Sequence, residues 1–385
     1  MRVAVIGHGS MIHSVPFLRH MVDAGLEVHW LQIAPGRIEV PGVRVHRCFG
    51  RGGYKTVLGK LDYFLGGLRA RAVLRRIKPD VVNSHYASSG GLAAWLSGFR
   101  PYAVTIHGSD LIDRSRTIIG RAILRRVFSS ADLVNLCGEH MVPILENLGV
   151  PTSKMMVLPR GIELERFPFR PKEPDPRGRI RIICTRSLGS AVYDIPTVLR
   201  GLAEARGRGL EASLTLAAGG KMQGRFQSLA GELGVADSVL FRGGYSPDEL
   251  PGLLAEHDAY VSASLWDGAS QSLMEAMACG TFPIVSDIPA NREWLKDGRD
   301  CLLFPAGDWR RLAEILLDLP RRGELIRQAV AANRRTVEAR ADRKRNLGKL
   351  TDRLVGLSAR GTTGLPSAGG GTRSAENAGE HGALP

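Results

Sequence analysis

Strand-like and helix-like runs alternate along nearly the whole chain, in two sets divided by a stretch that can be neither. In the first set the strands are expected near Arg2–Ile6, Glu27–Ile33, Val43–Arg47, Asp80–Ser84, Tyr102–Ile106, Asp132–Leu136 and Met155–Leu158. Helices are expected between them, for example over Ser14–Ala24, Asp62–Ile77 and Glu139–Leu148. In the second set strands recur near Ile180–Cys184, Ser213–Ala217, Ser238–Arg242, Ala259–Ser262, Phe282–Val285 and Cys301–Phe304. Such alternation implies parallel sheets covered by helices, and two sets imply two doubly wound α/β domains. The divider, Phe167 to Gly178, carries four prolines and cannot be a helix or a central strand. The expected organisation is therefore a first domain over 1–166, a linker over 167–178, a second domain over 179–320, a charged helix over 321–357 and a disordered tail over 358–385.

A chain of 385 residues is long enough for these two cores. No run approaches the roughly 18 apolar residues of a membrane span, and Met1 to Gly7 read as a first strand rather than a signal peptide. Five scattered cysteines (Cys48, Cys137, Cys184, Cys279, Cys301) form no C-x-x-C pair, which argues against a disulfide framework or zinc knuckle and points to a reducing cytoplasm. The net charge of +14 favours anionic partners. Arginines are dense over Arg69 to Lys78 and Arg114 to Arg126. In the second run Ile118, Ile119, Ile123, Leu124 and Val127 form one helical face flanked by Arg121, Arg125 and Arg126. That is either a helix for an anionic membrane surface or a solvated face over an ordinary core. With 6% aromatic residues and no zinc-finger or RNA-binding signature, nucleic acid is not an expected partner.

The segment richest in chemistry runs from Asp267 to Glu275 and on to Gly280. It follows an apolar strand and enters a short apolar helix that Gly280 should stop. Asp267 falls on the loop and Glu275 in the first helical turn. Ser270 and Ser272 between them are good N-caps, and the open N–H groups of such a turn attract phosphate. Carboxylates beside a phosphate seat can accept hydrogen bonds from sugar hydroxyls. The residues thus suggest a nucleotide-sugar pocket, against the plainer reading of a capped helix with a buried face. Other candidates lie at strand ends, where a doubly wound sheet presents its cleft. His107, beside Gly108 and Asp110, is placed to donate to a sugar, and Asp110 to orient it or cap the next helix. Gly9 and Ser10, in Gly7-His8-Gly9-Ser10, would let backbone N–H groups approach a ligand, but Ile12 stands where a dinucleotide fingerprint needs glycine. Arg186 ends the first strand of the second domain and suits bidentate diphosphate binding. His13 and His85 are weaker candidates, read mainly as structural. No D-x-D triplet occurs, so no metal is expected, and no cofactor.

These motifs are similar to those of the retaining glycosyltransferases of GT-B fold, the large group 1 family that includes glycogen, sucrose-phosphate and lipopolysaccharide-type hexosyltransferases. Asp267 and Glu275 fill the frame of the family's Glu-x7-Glu motif. Ala276 to Gly280, Pro283 to Ser286, Glu293 before Asp297-Gly298, and Pro159-Arg160-Gly161-Ile162 also resemble it. The resemblance implies that Asp267 holds donor-sugar hydroxyls, Glu275 the ribose, and the amides near Ser272 and Leu273 the diphosphate. Arg186 would neutralise the diphosphate and His107 would touch the donor sugar. Arg242 and Gly243, in the run to Tyr245, would shape the nucleobase site. Asp267 is one methylene shorter than the usual Glu. The lysine that relatives often carry soon after the arginine is missing from Ser190 to Asp194; Lys221 is the candidate replacement.

The activity implied is transfer of a hexosyl unit from a nucleotide diphosphate sugar (a UDP- or GDP-hexose) to an acceptor hydroxyl, with retention of configuration and without metal. Leaving-group charge would be met by arginine and a helix dipole, and the domains would hinge at the linker. The acceptor is expected to be a glycan or lipid-linked glycan, met in the cytoplasm or at the inner membrane face. The resemblance also implies that the final helix crosses back to the first domain. A nucleotide-sugar 2-epimerase, a phosphorylase, or a non-catalytic sugar-nucleotide-binding protein are the alternatives on this fold. C2 inversion without acceptor would mark the epimerase, and donor binding without turnover the last.

Overall fold

The structure, a computed structural model, describes residues 1–49, 57–115, 117–171, 175 and 178–361. Its first seven strands are β1 (Arg2–His8), β2 (Glu27–Ala34), β3 (Val43–Arg47), β4 (Val81–His85), β5 (Tyr102–Thr105), β6 (Leu133–Leu136) and β7 (Met155–Val157). They form one sheet in the order β3-β2-β1-β4-β5-β6-β7, and every pairing is parallel. The next six are β8 (Ile180–Cys184), β9 (Ala212–Leu216), β10 (Val239–Phe241), β11 (Ala259–Ser262), β12 (Phe282–Ser286) and β13 (Leu302–Phe304). They form a second parallel sheet in the order β10-β9-β8-β11-β12-β13. The strands lie where the alternation places them, with ends shifted by a residue or two.

Near-continuous apolar runs become central parallel strands because helices cover both faces of each sheet. Successive side chains alternate between those faces. On β1, Val3 and Val5 join the core of Phe17, Leu18 and Trp30, while Ala4 and Ile6 join that of Leu31, Leu74 and Phe128. On β8, Ile180, Ile182 and Cys184 pack with Leu199 and Leu312, and Ile183 packs with Tyr260 and Met277 on the other side. All five cysteines are buried and free. In both sheets the strand order reverses beside the first strand, at β1/β4 and at β8/β11. Ligands of doubly wound sheets bind in the crevice that opens at such a switch point.

The chain's C-terminal part departs from the single helix expected over 321–357. It is two helices, Gly323–Arg340 and Arg343–Gly361. At the break, Ala341 O accepts from Ile162 N (2.8 Å) and Arg343 N donates to Ile162 O (3.0 Å), so those groups bond across to the segment leaving the first domain instead of continuing the helix. The last helix then crosses to the first domain, where Leu347, Leu350 and Leu354 are buried with Val3, Val5 and Phe17. It extends through Ser358 to Gly361, past the expected start of the tail; residues 362–385, the rest of that expected tail, lie outside the described residues. Of the proline-rich linker, 172–174 and 176–177 also lie outside them. Its opening is tied to the second domain: Phe167 is buried, and Arg170 N donates to Cys279 O at 3.0 Å.

Candidate active site

The helix Gln271–Cys279 starts just past β11, at the second domain's switch point. Ser270 is its N-cap, with Oγ accepting from Leu273 N at 3.3 Å, and Gly280 ends it in the left-handed conformation (φ 85°). Arg186, two residues beyond β8, reaches across to this helix tip. Its Nη1 donates to Ser270 Oγ (2.9 Å) and Ser272 Oγ (3.0 Å), and its Nη2 to the Asp267 carboxylate. The guanidinium carbon lies 4.2 Å from the centroid of the Tyr193 ring. Burial works against the charge of Arg186, but the adjacent Asp267 carboxylate outweighs it and holds the pKa above the ordinary value. Asp267 therefore enters the site already paired. Glu275 lies one turn along the helix and makes no hydrogen bond among the described residues. Burial pushes its pKa up to about 7, against the pull of Arg343 and Arg160.

The facing wall belongs to the first domain. Asp110 is buried and binds two loops together: Oδ1 accepts from His107 N (3.2 Å) and Gly108 N (3.0 Å), Oδ2 from Ala87 N (2.6 Å). Its pKa rises to about 6 because burial outweighs these bonds. The His107 ring stacks on Tyr86 at 4.5 Å, and its Nε2 lies 3.3 Å from His85 Nδ1. Behind it, Thr105 Oγ1 donates to Asn83 Oδ1 (3.0 Å), which leaves Asn83 Nδ2 facing His85 Nε2 (3.3 Å); His85 Nδ1 also meets Ser14 Oγ (3.0 Å). Burial, then the charges of His85, Arg160 and His13, keep the His107 pKa well below its usual value. The ring is neutral at physiological pH, a hydrogen-bonding group and not a cation.

The two walls meet closely. A Cβ on Gly108 would come within 2.8 Å of Gly268 Cα, and one on Gly268 within 2.7 Å of His107 O. His140 Nδ1 and Glu293 Oε2, from opposite domains, are 2.8 Å apart. Burial opposes the charge on Glu293, but hydrogen bonds from His140 hold its pKa below the ordinary value. Between the walls is a cavity of about 410 Å³. His13, Tyr86, His107, Cys137 and Arg160 line it from the first domain and the segment leaving it. Arg186, Tyr193, Tyr245, Asp267, Ser272 and Glu275 line it from the second. Such an interdomain cavity, with polar and charged groups converging on a helix N-terminus, suits a polar, anionic small molecule.

Two family models meet at the domain boundary. Residues 9–166 match Glycosyltransferase Family 4 and residues 170–336 match Glycosyl transferases group 1. The chain belongs to the group 1 glycosyltransferases. The GDP-mannose-dependent alpha-(1-6)-phosphatidylinositol monomannoside mannosyltransferase of Mycolicibacterium smegmatis is 25% identical over 71% of this chain and 77% of its own. The MMP alpha-(1->4)-mannosyltransferase of Mycolicibacterium hassiacum is 29% identical over 70% of each. Among solved structures, sucrose-phosphate synthase from Thermosynechococcus elongatus superposes with a TM-score of 0.76 at 16% identity, over 94% of this chain and all (100%) of that one. HepE from Anabaena, in complex with UDP, gives 0.74 at 13% identity, over 93% and 100%. The fold of this glycosyltransferase is thus GT-B.

Within the transferase, the expected residues divide. His107, Arg186, Asp267, Ser272 and Glu275 line one cavity; Ser270 and Leu273 stand just behind, bonded to each other, and Asp110 holds the His107 loop. Gly9, Ser10, Lys221, Arg242 and Gly243 do not line it. The amide of Gly9 is taken by Ala34 O (3.0 Å), so that loop packs on its neighbour instead of presenting a free donor. Arg242 turns to Gly244 O (2.8 Å) and Glu249 (2.7 Å), and it is Tyr245 that reaches the cavity. Lys221 is exposed. Tyr193, in the segment after Arg186, supplies a ring under its guanidinium. Sequence reasoning missed Arg160, Tyr86 and Gln271, whose side chain donates to Gly161 O at 2.9 Å. The signal for Arg160 was present: it follows β7 by three residues, at a carboxyl strand end.

Proposed function

We propose that this glycosyltransferase moves a hexosyl unit from a nucleotide diphosphate sugar to an acceptor hydroxyl, with retention of configuration and without a metal. The observation that carries the reading is the cavity at both switch points, with a helix N-terminus set between Asp267 and Glu275. In this reading the diphosphate rests on the helix tip at Ser272, the Leu273 amide being taken by the Ser270 cap. Glu275 accepts from the ribose, and Asp267 and neutral His107 hold the sugar. Arg186 and the helix dipole stabilise charge on the leaving diphosphate, which itself takes the acceptor proton on the same face. UDP- and GDP-hexoses are the proposed donors. The HepE structure holds UDP, and the M. smegmatis relative is named for GDP-mannose. A glycan or lipid-linked glycan is the proposed acceptor, met in the cytoplasm at the inner face of the membrane. That relative's name, which includes a phosphatidylinositol mannoside, supports a lipid-linked choice.

Thermal unfolding against a panel of nucleotide sugars tests the site. A ligand at about 100 times its Kd stabilises by about 2.7 kcal/mol, so one UDP- or GDP-hexose should raise Tm measurably. Glu275→Ala and Arg186→Ala should each shrink that ligand-induced rise. An undiminished rise in both variants overturns the assignment.

A further inference from the structure

Of the cavity's two guanidinium groups, Arg186 is already bonded to Asp267, while Arg160 is acted on by Glu275 only through space. Among the described residues Arg160 has no ion pair; its Nη1 donates to His13 O at 3.0 Å, and its buried Nε has no partner. Burial, reinforced by Arg343, lowers its pKa to about 10, which leaves it charged at neutral pH. A half-buried guanidinium whose Nε is shut away from water and which has no ion pair favours an anion beside it. Its stem is rigid. Gly161 O accepts from Gln271 Nε2 (2.9 Å) and from Arg343 Nε (3.2 Å), and Ile162 pairs with Ala341. Gln271 is the first residue of the helix whose tip faces the cavity, and Glu275 stands one turn behind it. Arg160 is therefore fixed beside an anion-attracting helix end, with a free share of its donors.

We propose that Arg160 is a second cation that receives the diphosphate of the donor. The inference rests on the proposed donor reading and adds a residue to it. A donor diphosphate is favoured over an acceptor phosphate because Arg160 is held against the helix tip through Gly161 and Gln271. Arg186, bonded to Asp267, Ser270 and Ser272, holds those three in place as well as facing the same diphosphate.

Calorimetric titration with UDP, GDP, UMP, GMP and the free nucleosides tests this. Wild type should prefer the diphosphate of one base. Arg160→Gln should weaken that diphosphate by about tenfold or more, the range for a lost charged hydrogen bond, and leave the nucleoside unchanged. The salt dependence of binding should flatten. Arg160→Lys should recover part of the loss, and Lys221→Gln should lose nothing. Unchanged diphosphate affinity in Arg160→Gln overturns the inference alone, including the case where Arg160 meets an acceptor phosphate instead. An equal loss for diphosphate and nucleoside also overturns it, since that marks a merely structural role. A wild type that binds no nucleoside diphosphate overturns the donor reading and this inference together.

Discussion

Asp267 and Glu275 share one short segment, yet their surroundings give them different characters. Asp267 accepts from Arg186 and from Gly268 N (2.8 Å), so its charge is compensated before any ligand arrives. Glu275 faces the cavity with no such bond, and burial raises its pKa from 4.5 to about 7. The sign of the linkage follows. Between those two values the folded protein holds a proton that the unfolded chain has released, so this contribution to stability is lost as pH rises through about 7. The ligand-free protein should therefore lose Tm between pH 5 and 8, and Glu275→Gln should remove a few degrees of that loss. Thermal unfolding of both proteins across this range checks it, and parallel Tm–pH curves would refute it. The pairing of Asp267 could not be read from its neighbours in sequence, because Arg186 is 81 positions away.

At the scale of the element, the helix Ile118–Ser130 shows what periodicity alone leaves open. Ile118, Ile119, Ile123, Leu124 and Val127 read as one face, but the structure divides them. Leu124, Val127 and Phe128 are in the core, while Ile118 and Ile119 are 88% and 76% exposed at the N-terminal turn. Arg121, Arg125 and Arg126 are exposed beside them. Two adjacent isoleucines left in water beside three arginines are suited to a headgroup layer bearing negative charge, where apolar insertion and Coulomb attraction act together. We propose this tip as the contact with an anionic membrane. Among the described residues no helix is long and apolar enough to cross one. The protein should sediment with phosphatidylserine vesicles and release at high salt. Ile118→Ser with Ile119→Ser should weaken the association about tenfold or more, since burying one such side chain contributes about 1.5–3 kcal/mol. Equal sedimentation of the double variant would remove this helix from the proposal.

At the scale of the whole molecule, the site exists only where two domains close. Gly108 and Gly268 touch backbone to backbone, His140 bonds Glu293, and the last helix returns Leu347, Leu350 and Leu354 to the first domain's core. Gly268→Ala would put a methyl group 2.7 Å from His107 O, so the seam must open. A misplacement of about 1 Å can cost on the order of 100-fold in rate, so kcat/KM for glycosyl transfer should fall by about that much. Denaturant stability, set by the two separate cores, should change little. Transfer at the wild-type rate would show that this seam does not govern catalysis. The chain's order of strands and helices and the capped helix at Ser270 were legible in the sequence because each is set by residues close in the chain. The partner of Asp267, the exclusion of Gly9 and Lys221 from the cavity, the split of the last helix at Ala341, and the presence of Arg160 in the site were decided only by tertiary structure. Each depends on groups far apart in sequence competing for the same hydrogen bond or the same space, and local pattern carries no record of who prevails.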